Sequence, residues 1–162
     1  MILSKFGKAL AAAAICTLFS APAANAQATI SVTGPTGVTT SVNLGELSRH
    51  TVVTADRGLR TTFEGVALRD VLAKAGVPLG DALRGKALSR VIIAGAPDGY
   101  QVTYAIAEVD AAFTDQIILV ADRRDGRPLL PDTGPLQIIV PADKRPARWV
   151  RQVSKLEVRD VP

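Results

Sequence analysis

Two periodicities divide the chain. Thr29-Ile30-Ser31-Val32-Thr33 alternates apolar and polar residues and breaks at Gly34-Pro35; Val38-Thr39-Thr40-Ser41-Val42 resumes after Gly37. β-Branched runs bounded by glycine and proline predict the two strands of a hairpin. Asn43 stands where it would cap a short turn over 44–47, since its side chain can accept from backbone N–H groups that a helical start leaves unpaired. Arg49-His50-Thr51-Val52-Val53-Thr54 predicts a further strand, ended by Asp56-Arg57-Gly58. The period then changes. From Val66 to Ala75, the residues Leu68, Val71, Leu72 and Ala75 fall at i, i+3, i+4 and i+7, the spacing of one helix face. Gly76 sits where a C-terminal cap belongs and Pro78 follows just beyond.

Strand patterns return after the helix. Val91-Ile92-Ile93 centres a buried strand over 89–94, and Pro97-Asp98-Gly99 is turn chemistry. Tyr100-Gln101-Val102-Thr103-Tyr104 alternates as a half-buried strand, with a short helix expected over 105–109. Ile117-Ile118-Leu119-Val120-Ala121 is a core strand, followed by an Asp125-Gly126-Arg127-Pro128 turn. Leu136-Gln137-Ile138-Ile139-Val140 is another, stopped by Pro141, and 154–158 is the last. The expectation is about eight short strands and one clear helix. Strands and helices do not alternate strictly, so the fold class is α+β with a mixed β-sheet rather than a doubly wound fold.

The first segment changes the picture of where the chain works. Lys5 and Lys8 precede an apolar run from Ala9 to Phe19, and Ala24-Asn25-Ala26 offers the small-residue pattern read by a signal peptidase. The run is shorter than the roughly 20 residues that cross a bilayer. The expected organisation is a signal peptide over 1–26 and one domain over 27–162, exported to the periplasm. Cleavage would remove two positive charges from a formal net charge of +4. With no basic stripe interleaved with aromatics, nucleic acid is not an expected partner. The single cysteine, Cys16, lies in the leader, and the chain has one histidine, His50. A processed domain would then have no disulfide, no thiolate nucleophile and no Cys-ligated metal. No G-x-S-x-G elbow and no glycine-rich phosphate loop is present.

Six short motifs follow one another in order. They are Phe63-Glu64-Gly65-Val66-Ala67-Leu68-Arg69-Asp70-Val71-Leu72, Ala75-Gly76, Asp98-Gly99-Tyr100, Asp125-Gly126-Arg127-Pro128-Leu129, Gly134-Pro135-Leu136-Gln137-Ile138-Ile139-Val140-Pro141, and Arg148-Trp149-Val150 with Val153 three residues on. From Thr51 to Val158 this resembles the molybdopterin-binding domain of the sulfite oxidase family. The resemblance implies that fold and a pterin or molybdopterin as cofactor. It also implies a cysteine metal ligand just upstream of the Gly-Val helix. The chain has Thr51-Val52-Val53-Thr54-Ala55-Asp56 there instead. A hydroxyl does not replace a soft thiolate. The expectation is therefore a non-catalytic, exported pterin-binding module without a metal, presenting its liganded state to a membrane-bound periplasmic receptor. The alternative is a molybdopterin-dependent oxidoreductase, or a subunit of one, with an unusual metal ligand.

Candidate ligand-binding residues follow from what a flat heterocycle needs: an aromatic or guanidinium face and hydrogen-bond partners at its amide edge. Trp149, the only tryptophan, lies in the most basic run after the leader, with Lys144, Arg145 and Arg148. It reads equally as a stacking face or as a core residue. The three cations would meet a pyrophosphate or the pterin carbonyl, or form a solvated rim. Asp143 would accept from a 2-amino edge, or cap a turn. Asp122 and Arg123 follow a core strand on a loop where ligands gather, as does Asp132; each also reads as a polar turn residue. His50 precedes the stretch replacing the cysteine loop, and Tyr100 belongs to the Asp-Gly-Tyr motif; both also read as structural.

Overall fold

The computed structural model describes residues 28–56 and 59–161. The expected signal peptide over 1–26, Cys16 within it, and Arg57-Gly58 of the predicted turn lie outside the described residues. The strands are β1 (Thr29–Thr33), β2 (Thr39–Asn43), β3 (Arg49–Asp56), β4 (Leu59–Ala67), β5 (Val91–Gly95), β6 (Gln101–Ala105), β7 (Leu119–Arg124), β8 (Arg127–Pro128), β9 (Gln137–Ile139) and β10 (Lys155–Arg159). The α-helix among them is α1 (Leu68–Lys74), and single 3₁₀ turns cover several connections.

The strands form two sheets. One has the order β2-β1-β10-β5-β6 and is mixed: β1 runs parallel to β10, and its other pairs are antiparallel. The other has the order β3-β4-β7-β8, with β9 also paired to β7, and is antiparallel throughout. The expected α+β class with a mixed sheet holds, and the structure divides the strands between two sheets.

Burial explains the arrangement. Ile30, Val32, Ile92, Tyr104, Leu156 and Val158 of the first sheet meet Val66, Val120 and Ile138 of the second, with Leu68, Val71 and Leu72 of α1 between them. The alternating strands supply one face each to this core. The unbroken apolar runs behave differently. Leu119, Ala121 and Ile139 point to the opposite face of β7 and β9, where they pack with Phe63, Val52 and Trp149. Strands buried on both sides read as continuous apolar runs, not alternating ones.

Two element boundaries depart from the sequence reading. Val66 and Ala67 belong to β4, not to the helix, and β4 itself was invisible to the apolar pattern. Its outer half, Leu59-Arg60-Thr61-Thr62, is polar enough to pass for a loop and is held in strand geometry by pairing with β3 on one side. The predicted core strand at Ile117 starts at Leu119 and continues through Asp122-Arg123-Arg124. Those polar residues stay extended because β7 turns tightly into β8: Asp125 and Gly126 take φ of 49° and 75°, the left-handed pair a two-residue hairpin needs. Asn43 caps as expected, accepting from Gly45 N–H at 2.9 Å.

Candidate functional site

The chain between β9 and β10 builds the site. Beyond Val140 it leaves the sheet, makes a 3₁₀ turn over Pro146–Arg148, and returns beside β9. The return is pinned by backbone bonds from Ile138 N–H to Val150 O and from Val153 N–H to Leu136 O. Pro146 suits the first position of that turn because its missing N–H would be unpaired there anyway.

Arg148 anchors the segment. Its Nε and Nη2 donate to the two Asp143 oxygens at 2.9 and 2.7 Å, and Nη1 donates to both Glu108 oxygens at 3.1 and 3.2 Å. The guanidinium also lies 5.4 Å from the Tyr104 ring centroid. The Tyr104 hydroxyl donates to the Arg148 carbonyl. The Asp143 and Glu108 carboxylates raise the Arg148 pKa, the Asp143 hydrogen bonds foremost. Burial raises the Tyr104 pKa, so the phenol stays a donor.

Trp149 follows directly. Its indole N–H donates to Val140 O at 3.1 Å, and its ring meets Phe63 edge-on at 5.7 Å. Arg124 sits over the Phe63 ring at 5.8 Å. Phe63 and Arg124 are direct partners across β4 and β7.

These elements enclose a cavity of 310 Å³ lined by Thr54, Phe63, Arg124, Gln137, Lys144 and Trp149, with Asp143 and Arg151 at its wall. Thr54 and Gln137 are only 7% and 8% exposed. Neither side chain has a hydrogen-bond partner among the described residues. No buried polar side-chain atom among the described residues is sealed off without a partner, so the Thr54 hydroxyl and the Gln137 amide open into the cavity. Open to the cavity and unused by the protein around them, they are available to a ligand's donors and acceptors. Lys144 and Arg151 make no ion pair among the described residues. The lining thus offers a ring, a hydroxyl, an amide and free cations.

The candidates divide accordingly. Asp143, Lys144 and Trp149 meet at this cavity. Tyr100 lines an adjoining cavity and donates its hydroxyl to Ala147 O at 2.5 Å. Arg148 is turned toward Asp143 and Glu108 and does not line the cavity. Arg145 precedes the 3₁₀ turn and is exposed. His50 lies 3.4 Å from Asp70 at the start of α1. Arg123 donates to Gly126 O at 3.4 Å. Asp122 accepts both Arg49 nitrogens at 2.7 and 2.6 Å, and its hydrogen bonds raise the Arg49 pKa. Exposed pairs of this kind contribute at most about 1 kcal/mol. Asp122→Asn is therefore expected to shift urea unfolding by less than about 1 kcal/mol and to leave ligand titration unchanged; a tenfold loss of binding would put Asp122 back in the site.

Sequence reasoning missed Thr54, Phe63, Arg124, Gln137 and Arg151. Gln137 carried a signal, as the lone polar residue inside an apolar run. Thr54 lies in the very stretch that stands in place of the family's cysteine loop. The lining suits the organic part of a pterin cofactor. It supplies no thiolate, and no group of three or more His, Cys, Asp or Glu side chains is placed to hold a metal among the described residues.

Comparison with known proteins agrees with this geometry. The model of the oxidoreductase molybdopterin binding domain matches residues 17–162. A search of the curated proteins finds no match. Among solved structures, the sulfane dehydrogenase SoxCD from Paracoccus pantotrophus has the same fold at a TM-score of 0.63 and 18% identity. The alignment covers 82% of this chain and 38% of that one. With most of its length matched to the family model, the chain belongs to the oxidoreductase molybdopterin-binding domain family, of sulfite oxidase type.

Proposed function

We propose that this domain binds a reduced pterin or molybdopterin in the Trp149 cavity and works as a non-catalytic, exported sensor module in the periplasm. The observation that carries this reading is the Thr54 hydroxyl and the Gln137 amide, which have no partner among the described residues and open into the same space as the Trp149 ring and the free cation of Lys144. A pterin is flat, and its amide edge both donates and accepts. Gln137 matches that edge with one donor and one acceptor group, and Lys144 and Arg151 complement an anionic substituent. No thiol lines the cavity, so the ring and its substituents, not a protein–metal bond, supply the affinity. A membrane-bound receptor is the partner such a sensor would need.

Titration of the processed protein with a reduced pterin tests this, followed by calorimetry and by fluorescence of Trp149, the only tryptophan. Saturable binding below the millimolar range is expected. Gln137→Leu, which keeps the volume and removes the amide, is expected to weaken it about tenfold, or about 1.4 kcal/mol. Absence of binding below millimolar concentrations would overturn the proposal.

A second reading, an oxidoreductase or one of its subunits, draws on the family match and on the name of the solved dehydrogenase that shares the fold. Metal analysis of protein exported from a molybdenum-sufficient host separates the two. Stoichiometric molybdenum would favour this reading over the sensor.

A further inference from the structure

A second cavity, of 440 Å³, lies beside the first and shares Trp149, Pro146 and Arg151 with it. Its remaining wall is Asp98, Tyr100, Asp132, Ala147 and Gln152. The charges here are unusual in one respect. Two carboxylates and a guanidinium line one space, yet no ion pair joins Arg151 to Asp98 or Asp132, and none of the three has another ion-pair partner among the described residues. Asp98 uses one oxygen to accept from Tyr100 N–H at 2.9 Å, and its other oxygen has no partner among the described residues. Among the described residues, Asp132 and Arg151 have no hydrogen-bond partner through their side chains.

The backbone fixes where these side chains begin. Gln152 takes a φ of 49°, in the left-handed region a non-glycine residue enters at a cost. It is fixed by two bonds to the loop that carries Asp132: its N–H donates to Thr133 O at 2.9 Å and its side-chain amide to Pro131 O at 2.7 Å. These bonds tie the Arg151 position to the Asp132 loop while leaving their side chains apart. The Tyr100 ring is about half exposed and is steadied through its hydroxyl by Ala147 O. Tyr100, Trp149 and Pro146 add apolar surface to the same cavity.

We propose that this cavity is a binding site for a small zwitterion bearing an ammonium and a carboxylate, the chemistry of a free amino acid. The ammonium is taken by Asp98 and Asp132, the carboxylate by Arg151 through its planar fork, and the aliphatic part by the Tyr100 and Trp149 rings. A ligand carrying both signs pairs with the carboxylates and the guanidinium at once, which a singly charged ligand cannot do. Trp149 and Arg151 border both cavities, so a pterin held by Arg151 would compete for that cation, while Asp98 and Asp132 line this cavity and not the first.

Three compounds of matched chain length test it by calorimetry on the processed protein: norvaline, butylammonium and valerate, the last two each lacking one charged group. Norvaline is expected to bind at least tenfold more tightly than either. Asp132→Asn is expected to weaken norvaline at least fivefold and to leave valerate and reduced pterin unchanged. Arg151→Gln is expected to weaken norvaline to a similar degree and to leave butylammonium unchanged. Asp132 and Arg151 are both exposed, so neither change threatens folding. Norvaline binding no better than the single-charge analogues, or indifference of norvaline to both variants, overturns the proposal. Reduced pterin binding is scored separately, so failure here and failure of the pterin reading give different results.

Discussion

Gly65→Ala is expected to lower the unfolding free energy by about 3 kcal/mol or more, at the upper end of what overpacking does in a protein interior. Gly65 lies on β4 where the register with β7 shifts by one residue, between Glu64 and Gly65. A Cβ there would lie 2.1 Å from Val120 O and 2.6 Å from Ala121 Cα. Both are backbone atoms of the neighbouring strand, so no side-chain rotation relieves the clash. The strands must separate, which breaks the pairing that sets Phe63 opposite Arg124 in the cavity wall. Urea denaturation measures the loss, and Gly76→Ala is the control. Gly76 has a φ of 81° and nothing near its missing Cβ, so only the left-handed backbone is penalised, by about 1 kcal/mol. A Gly65→Ala protein as stable as the Gly76→Ala one would refute the close approach of β4 and β7.

Removal of Arg148 has the second largest expected effect. Arg148→Ala leaves Asp143, 19% exposed, and Glu108, 32% exposed, facing one another without their shared cation. Breaking a fully buried pair costs about 3–5 kcal/mol. Arg148 is 36% exposed, and water screens part of that, so a loss of about 2 kcal/mol is expected. The same change frees the 3₁₀ turn that aims Lys144 and Trp149, so pterin affinity should fall even in urea-free buffer, where the fold is intact. Arg148→Lys separates charge from geometry. A lysine restores one ion pair but not the bidentate grip on Asp143 plus the contact with Glu108, so stability should recover in part and affinity less. If Arg148→Ala lost affinity without any loss of stability, Arg148 would be a direct ligand contact rather than the anchor of the segment.

The legibility of the site in the sequence followed the same division. Trp149, Lys144 and Asp143 were found because a lone aromatic in a basic run is a local signal. Arg148 was found for the same reason, but its use was not legible. Glu108 and Tyr104 are some 40 residues away, and only the packing of β6 and the 3₁₀ turn after it against the returning segment brings them to the guanidinium. Asp122 looked available after a core strand; Arg49, 73 residues earlier, occupies it through the β3–β4–β7 pairing. Arg151 was overlooked as one more charge beside a tryptophan, and its position between two cavities depends on the φ of Gln152 and on the loop around Asp132.

The sequence alone determined the secondary structure of the strongly patterned segments, the helix with its Gly76 terminus, the α+β class and, through six ordered motifs, the family. Each of these rests on interactions between residues near in the chain, or on spacing that a local period records. Tertiary structure decided the division into two sheets, the existence of β4, and which charges are spent on one another and which stay free. Strand pairing and ion pairing join residues far apart in the chain, and the free energy of a charge depends on the partner that folding places beside it.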